Sequence, residues 1–253
     1  MKQKNAREQF GREAEKYLTS PSHANEVELA RCVEAVGPKG GPVLDVATGA
    51  GHTAYAFAPY ASKVVALDVT PEMLSIVERE ARARGFSNIE TVEAPAEELP
   101  FPAAEFEGVT CRVAPHHFHD VRAFLQEANR VTIPGGWLLL VDTVGVDDPK
   151  ADEQLDKIEF QRDSSHVRNY TPTRWLEMVA YCGYKIEFHE TYARPHNLVN
   201  WMDRMSVAEP VRSRITDSIM NSTDWLRDYL RPHGQGEDAT FHLHQIMLVG
   251  RKP

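Results

Sequence analysis

Short unbroken apolar runs alternate along this chain with stretches whose apolar residues recur every three or four positions. Val43 to Val46, Val64 to Leu67, Phe106 to Val113 and Trp137 to Val141 predict four buried strands, and Asn88 to Glu93, Tyr184 to Tyr192 and Phe241 to Gly250 predict three more. Helical spacing fills the intervals: Val27, Leu29, Ala30, Val33 and Val36; then Met73, Leu74, Ile76 and Val77 after Thr70-Pro71; then Val121, Phe124, Leu125, Ala128 and Val131; then Trp175 to Cys182. Strands alternating with helices predict an α/β fold whose sheet is mostly parallel and covered on both faces.

Three stretches stand outside that alternation. Residues Asn5 to Leu18 place Phe10, Ala14, Tyr17 and Leu18 on one helical face, ahead of the turn Thr19-Ser20-Pro21-Ser22. Asp147 to His166 is charged and helical, with Leu155, Ile158 and Phe160 as a sparse apolar set. The 48 residues between Tyr192 and Phe241 exceed any ordinary connection, and Trp201, Met202, Met205, Ile215, Ile219, Trp225, Leu226 and Tyr229 make them read as a helical cap. The expected division is therefore an N-terminal helical segment over 1–36, a core over 37–192, a cap over 193–238 and a final core strand over 239–253.

The chemistry gathers where the first strand breaks. Thr48-Gly49-Ala50-Gly51 separates that strand from a helix-competent segment starting at His52. Glycines permit positive φ and close approach of a ligand to the unpaired N–H groups of a helix start. The second strand ends in Asp68, 19 residues after Gly49, the separation at which an acid reaches a ribose diol in nucleotide-binding βαβ units. This fingerprint alone also fits dinucleotide enzymes and flavoproteins.

The order Asp45-x-x-x-Gly49-x-Gly51 resembles motif I of class I S-adenosylmethionine-dependent methyltransferases. With Ala66-Leu-Asp68, Glu98-Leu-Pro-Phe101, His116-His-Phe118 and Pro134-Gly-Gly136 it forms an ordered set, from Val43 to Val141, that is similar to the ubiquinone/menaquinone C-methyltransferase-like (methyltransferase type 11) family. The resemblance implies a Rossmann-like seven-stranded sheet with an antiparallel last strand, an N-terminal helical lid carried by Phe10 to Tyr17, S-adenosyl-L-methionine as cofactor, and a small-molecule acceptor. It assigns the methionine half of the cofactor to Asp45, Ala47, Thr48, Gly49 and Gly51, the ribose to Asp68 beside Val69, and an adenine or ribose contact to Met73. Pro95 stands where many members carry an adenine-binding Asp and offers only a carbonyl, so adenine recognition passes to the Ala96 N–H, with Glu97 beside it. Arg112 is expected to meet the cofactor carboxylate or a substrate anion; an ion pair with Asp120 is the alternative.

Methyl transfer demands orientation and, for some acceptors, a base. His117, His116 and His166 are the catalytic candidates, with His119 nearby, because histidine titrates near working pH; a structural hydrogen-bonding role for the His116-His117 pair stands beside that reading. No metal is demanded. Asp45 has a structural alternative too, capping amides of the loop, and Met73 can be ordinary core. His242 and His244 alternate on one face of the last strand and are pocket candidates if that strand is antiparallel. A non-methylating enzyme on the same fold, such as a cyclase, and a nucleotide-dependent oxidoreductase are the competing functions.

The bulk numbers narrow partners only. Against 28 Lys and Arg stand 37 Asp and Glu, a net charge of −9, which is no nucleic-acid footprint. No apolar stretch approaches a membrane span, so a cytoplasmic enzyme is expected, with homodimer formation left open. Cys32, Cys111 and Cys182 are too scattered for a disulfide framework or a zinc site.

Overall fold

The apolar runs become strands in one sheet. The structure, a computed structural model, describes Arg7, Glu15, Tyr17, Leu18 and residues 24–253. Strands β1 (Val43–Val46), β2 (Val64–Asp68), β3 (Ile89–Glu93), β4 (Phe106–Arg112), β5 (Thr132–Thr143), β6 (Lys185–Asn197) and β7 (Thr240–Arg251) lie in the order β3-β2-β1-β4-β5-β7-β6. Strands β1 to β5 pair in parallel, while β7 is antiparallel to β5 and β6. This is the expected Rossmann-like arrangement.

Helices α1 (Glu26–Val36), α2 (His52–Phe57), α3 (Pro71–Ala83), α4 (Val121–Val131), α5 (Pro149–Arg162), α6 (Pro172–Tyr181), α7 (Leu198–Asp203), α8 (Val211–Met220) and α9 (Asp224–Leu230) complete the described α-helical segments. Alternate strand residues sort to opposite faces. Leu44, Val46, Leu138 and Leu140 pack with Phe124 and Leu125 of α4 and Trp175 of α6; Val43, Trp137, Leu139 and Val141 pack with Val33 of α1, Phe57 of α2 and Val77 of α3. The strand order reverses between β1 and β4, which opens a crevice at their carboxyl ends, where open α/β sheets bind ligands.

The cap differs from its expected bounds. Strand β6 does not stop at Tyr192 but pairs with β7 through Asn197↔Thr240, whereas β7 meets β5 only as far as Gln245. A two-stranded ribbon thus projects past the sheet and carries α7, α8 and α9. Pro195 hid this extension: proline reads as a strand breaker, yet β6 is the edge strand, where a missing N–H costs nothing. Helix α5 joins the same unit, since Ala151, Leu155 and Ile158 share a buried cluster with Trp201, Ile215, Leu226 and Phe241. Among the described residues no helix is long and apolar enough to cross a membrane.

Candidate active site

Two cavities meet above the carboxyl ends of β1, β2 and β4. The larger, about 340 Å³, is lined from β1 and its turn by Ala47, Thr48, Gly49 and Ala50, and from α2 by His52 and Thr53. Leu67, Asp68, Val69, Thr70 and Met73 line it from β2 and α3; Ala94, Ala96 and Glu97 from the loop after β3; Arg112, Val113, Ala114, His117, Phe118 and His119 from the end of β4. Its volume lies within the range of small-molecule sites, roughly 300–1,000 Å³. Tyr17 and Arg7 reach it from the N-terminal segment.

The turn after β1 is built as its sequence demands. Ala47 and Gly49 adopt positive φ (54° and 53°), and Thr48 N–H donates to the Leu67 carbonyl, fastening the turn to β2. Asp68 then holds the loop from the other side: Oδ2 accepts from Gly49 N–H and Oδ1 from Thr70 N–H, both at 2.9 Å. Burial raises the Asp68 carboxyl above its ordinary range, against these two hydrogen bonds. Each oxygen keeps one lone pair for a ligand donor.

Asp45 departs from its expected ligand contact. It does not line the cavity; Oδ2 accepts from Thr48 Oγ1 and Oδ1 from Thr110 Oγ1, each at 2.6 Å. Burial pushes its carboxyl up to about 6 even so. Asp45 therefore supports Thr48 from behind, a structural role made through the Thr48 and Thr110 hydroxyls. Gly51 likewise stays out of the cavity: it starts α2 at φ 86°, where a Cβ would meet the Tyr55 ring at 2.6 Å. Glycine is required there for packing.

The residues expected at the adenine line the far wall of the larger cavity. Met73 packs with Ala50 and Ile76, with Tyr17 and Leu18 against them. Ala96 and Glu97 line the cavity while the Pro95 carbonyl accepts from Glu98 N–H at 3.4 Å. Arg112 lines it as well, but not with the partner expected of an ion pair. Its Nη1 donates to Glu28 Oε1 at 2.8 Å and its Nε to Thr53 Oγ1 at 3.1 Å, whereas Asp120 caps α4 through Ala123 N–H. Glu28, from α1, is a participant that helical periodicity had counted only as part of an amphipathic stretch.

The smaller cavity, about 70 Å³, adjoins the first and shares Tyr17, Val113 and His117 with it. His116 lines this second space, its Nδ1 2.6 Å from Asp142 Oδ1. Burial pushes Asp142 up to about 8 and His116 down to about 3, so the pair carries a single titratable proton at neutral pH. The His117 ring packs tilted against that of His116, centroids 4.1 Å apart, and burial brings it down to about 3 as well. Ser165 Oγ donates to Asp163 at 2.6 Å, so at 3.2 Å it accepts from His117 Nδ1–H. That tautomer leaves Nε2 as the basic ring nitrogen.

His166 is a correction: it lines neither cavity. Its Nε2 lies 3.1 Å from Asp156, and its ring stands 5.9 Å behind that of His116. His242 and His244 are another. The last strand is antiparallel as the condition required, but Leu243 and Gln245 face the second cavity, and the two-residue period turns both histidines away. His244 instead stacks on Tyr229, centroids 4.4 Å apart.

This geometry agrees with what the chain is similar to. A family model described as a methyltransferase domain matches residues 44–140. The uncharacterised methyltransferase YcgJ of Bacillus subtilis (strain 168) is 31% identical over 246 residues, covering 96% of this chain and 97% of that one. The chain belongs to the methyltransferase family. The crystal structure of YcgJ superposes on this methyltransferase with a TM-score of 0.85, covering 90% of this chain and 98% of that chain at 31% identity. The ubiquinone/menaquinone biosynthesis C-methyltransferase UbiE of Agrobacterium fabrum (strain C58 / ATCC 33970) is 34% identical over 135 residues, 51% of this chain and 52% of its own. The [4+2]-cyclase SpnF shares the fold, with a TM-score of 0.63 at 18% identity over 89% of this chain and 79% of its own.

Proposed function

We propose that this methyltransferase takes its methyl group from S-adenosylmethionine and passes it to a small-molecule acceptor. The observation that carries the reading is the junction of two cavities at His117, the larger floored by the Thr48-Gly49 turn and Asp68, the smaller closed by the cap. The larger has the donor set such a nucleoside needs: the Asp68 lone pairs for the ribose diol, Met73 and Leu67 as an apolar wall, and Ala96 and Glu97 at the adenine end. The sulfonium supplies an already activated methyl group when bound.

The protein's own work is then orientation and proton handling. Asp68, set by Gly49 and Thr70, fixes the ribose. Arg112, anchored on Glu28 and Thr53, presents positive charge toward the donor cavity. Tyr17 borders both spaces, with its hydroxyl 3.2 Å from Met205 Sδ in the cap, which supports reading the N-terminal segment as a lid that keeps water out. His117 Nε2 takes up the proton that an acceptor heteroatom loses, the Asp163 carboxylate 3.9 Å away offsetting the burial that otherwise keeps the ring neutral, and the tilted His116 ring packs against it.

Calorimetric titration with S-adenosylmethionine and S-adenosylhomocysteine, with NAD(H) as control, tests the donor. Binding of the first two alone is the expected result, and binding of NAD(H) alone would overturn it. Labelled donor then distinguishes transfer from a cyclase-like use of the same fold, since a non-methylating enzyme would move no label into any acceptor.

A further inference from the structure

We propose that the smaller cavity receives the anionic end of the methyl acceptor, a carboxylate or a phosphate monoester, while a hydroxyl or amine of the same molecule donates to Glu159. The inference rests on the donor reading above, because the larger cavity must be the donor's for the smaller to be the acceptor's.

Three guanidinium groups converge on this space from separate elements: Arg162 from the end of α5, Arg194 from β6 and Arg204 just after α7. Arginine's planar fork matches the oxygens of carboxylate and phosphate, and gathering several beside one cavity costs mutual repulsion that a bound anion offsets. That repulsion is visible in the surroundings. Burial and the neighbouring Arg162 bring Arg204 down to about 10, and burial with all three arginines holds His196 well below its usual range.

Carboxylates nearby offset part of the charge: Asp163 and Glu159 both stand near Arg162, and Asp163 also accepts from Ser165 through its hydroxyl and its N–H. Glu28 serves Arg194 and Arg112 together. Arg162 Nε donates to the Trp201 carbonyl at 3.0 Å and its guanidinium lies 4.5 Å from the Trp201 ring centroid, while its Nη groups make no hydrogen bond among the described residues. The fork is thus positioned and its outer donors are available to a ligand.

Glu159 supplies the second, independent observation. It lines the same cavity at 6% exposure, and its Oε1 has no hydrogen-bond partner among the described residues. Leaving a buried acceptor atom without a partner is costly, so a ligand donor completes it. A cavity lined by both arginines and Glu159 suits a small hydroxy or amino acid, or a hydroxylated phosphate monoester.

The test uses the full chain saturated with S-adenosylhomocysteine, titrated with acetate, lactate, inorganic phosphate and glycerol phosphate, with acetamide, lactamide and glycerol as uncharged counterparts. The expected result is that an anion binds at least tenfold more tightly than its counterpart, and that Arg162→Gln removes this preference while the S-adenosylhomocysteine Kd changes less than twofold. Tighter binding of the carboxylates or of the phosphates identifies the headgroup. No preference for any anion in the unmutated protein overturns the proposal, and so does a preference that survives Arg162→Gln in a variant with an unchanged circular dichroism spectrum. Failure of S-adenosylhomocysteine itself to bind is seen before any acid is added and overturns the donor reading instead.

Discussion

Glu28 in the first helix accepts from Arg112 at the end of β4 at 2.8 Å, and its other oxygen lies 3.1 Å from Arg194 in β6. The three side chains are 6%, 5% and 10% exposed, so one buried carboxylate ties the N-terminal helix to both cavities. Removing one member of a buried ionic group leaves uncompensated charge, at a cost of about 3–5 kcal/mol. Glu28→Gln should lose stability of that order in urea denaturation. A loss below about 1 kcal/mol would mean that the arginines are satisfied by other groups.

Asp68→Ala should weaken S-adenosylhomocysteine binding by at least tenfold, because hydrogen bonds to a charged group are worth about 1.5–3 kcal/mol. The same carboxylate holds Gly49 and Thr70 in place, so the loss includes loop order as well as ligand contact. Calorimetry decides the point, and an unchanged Kd would detach Asp68 from the donor.

His117→Ala separates binding from chemistry. The ring borders both cavities and is anchored on Ser165, so the variant should hold S-adenosylhomocysteine with little change. Single-turnover methyl transfer should fall by a factor on the order of 10² or more, the usual contribution of a positioned base. Equal rates would leave His117 a wall residue.

What the sequence made legible follows from distance along the chain. Gly49, Asp68 and Met73 belong to one βαβ unit, where local geometry and spacing decide position, and all three line the larger cavity, whereas Gly51 does not. The Glu28-Arg112-Arg194 group joins residues 84 and 166 positions apart, and no local pattern marks such a pair. The motif misplaced Asp45 because it specifies a buried acid without saying that Thr48 and Thr110 occupy it. His166 was a histidine near the right loop, but its ring is turned toward Asp156 by the chain from 163 to 169.

The two turn glycines should fail differently. At Gly51 an added Cβ meets the Tyr55 ring, which is itself held beside Phe86 and under Arg84. Positive φ and overpacking together predict that Gly51→Ala costs about 2–4 kcal/mol. At Gly49 a Cβ meets no atom within 4 Å, so Gly49→Ala costs only the backbone penalty of about 1 kcal/mol. Because Gly49 lines the donor cavity, its substitution should show chiefly in S-adenosylhomocysteine affinity. Equal denaturation midpoints for the two variants would contradict this division.

The Asp142-His116 pair makes stability depend on pH with a definite sign. Burial lifts Asp142 from 3.8 to about 8, so between those values the folded protein holds a proton that the unfolded chain releases, and stability falls as pH rises. His116 and His117 act oppositely: burial lowers both from 6.5 to about 3, and stability is lost as pH drops below 6.5. Asp45 has the sign of Asp142 but is finished by about 6. His166, raised by Asp156 against the cost of burial, adds to the alkaline fall. Asp142→Asn mimics the protonated carboxyl and removes the Asp142 share. Denaturation between pH 6.5 and 8 should therefore show the unmutated protein losing stability more steeply than Asp142→Asn, by up to about 1.4 kcal/mol per pH unit for one proton. Superimposable profiles would place the Asp142 proton outside the folded state.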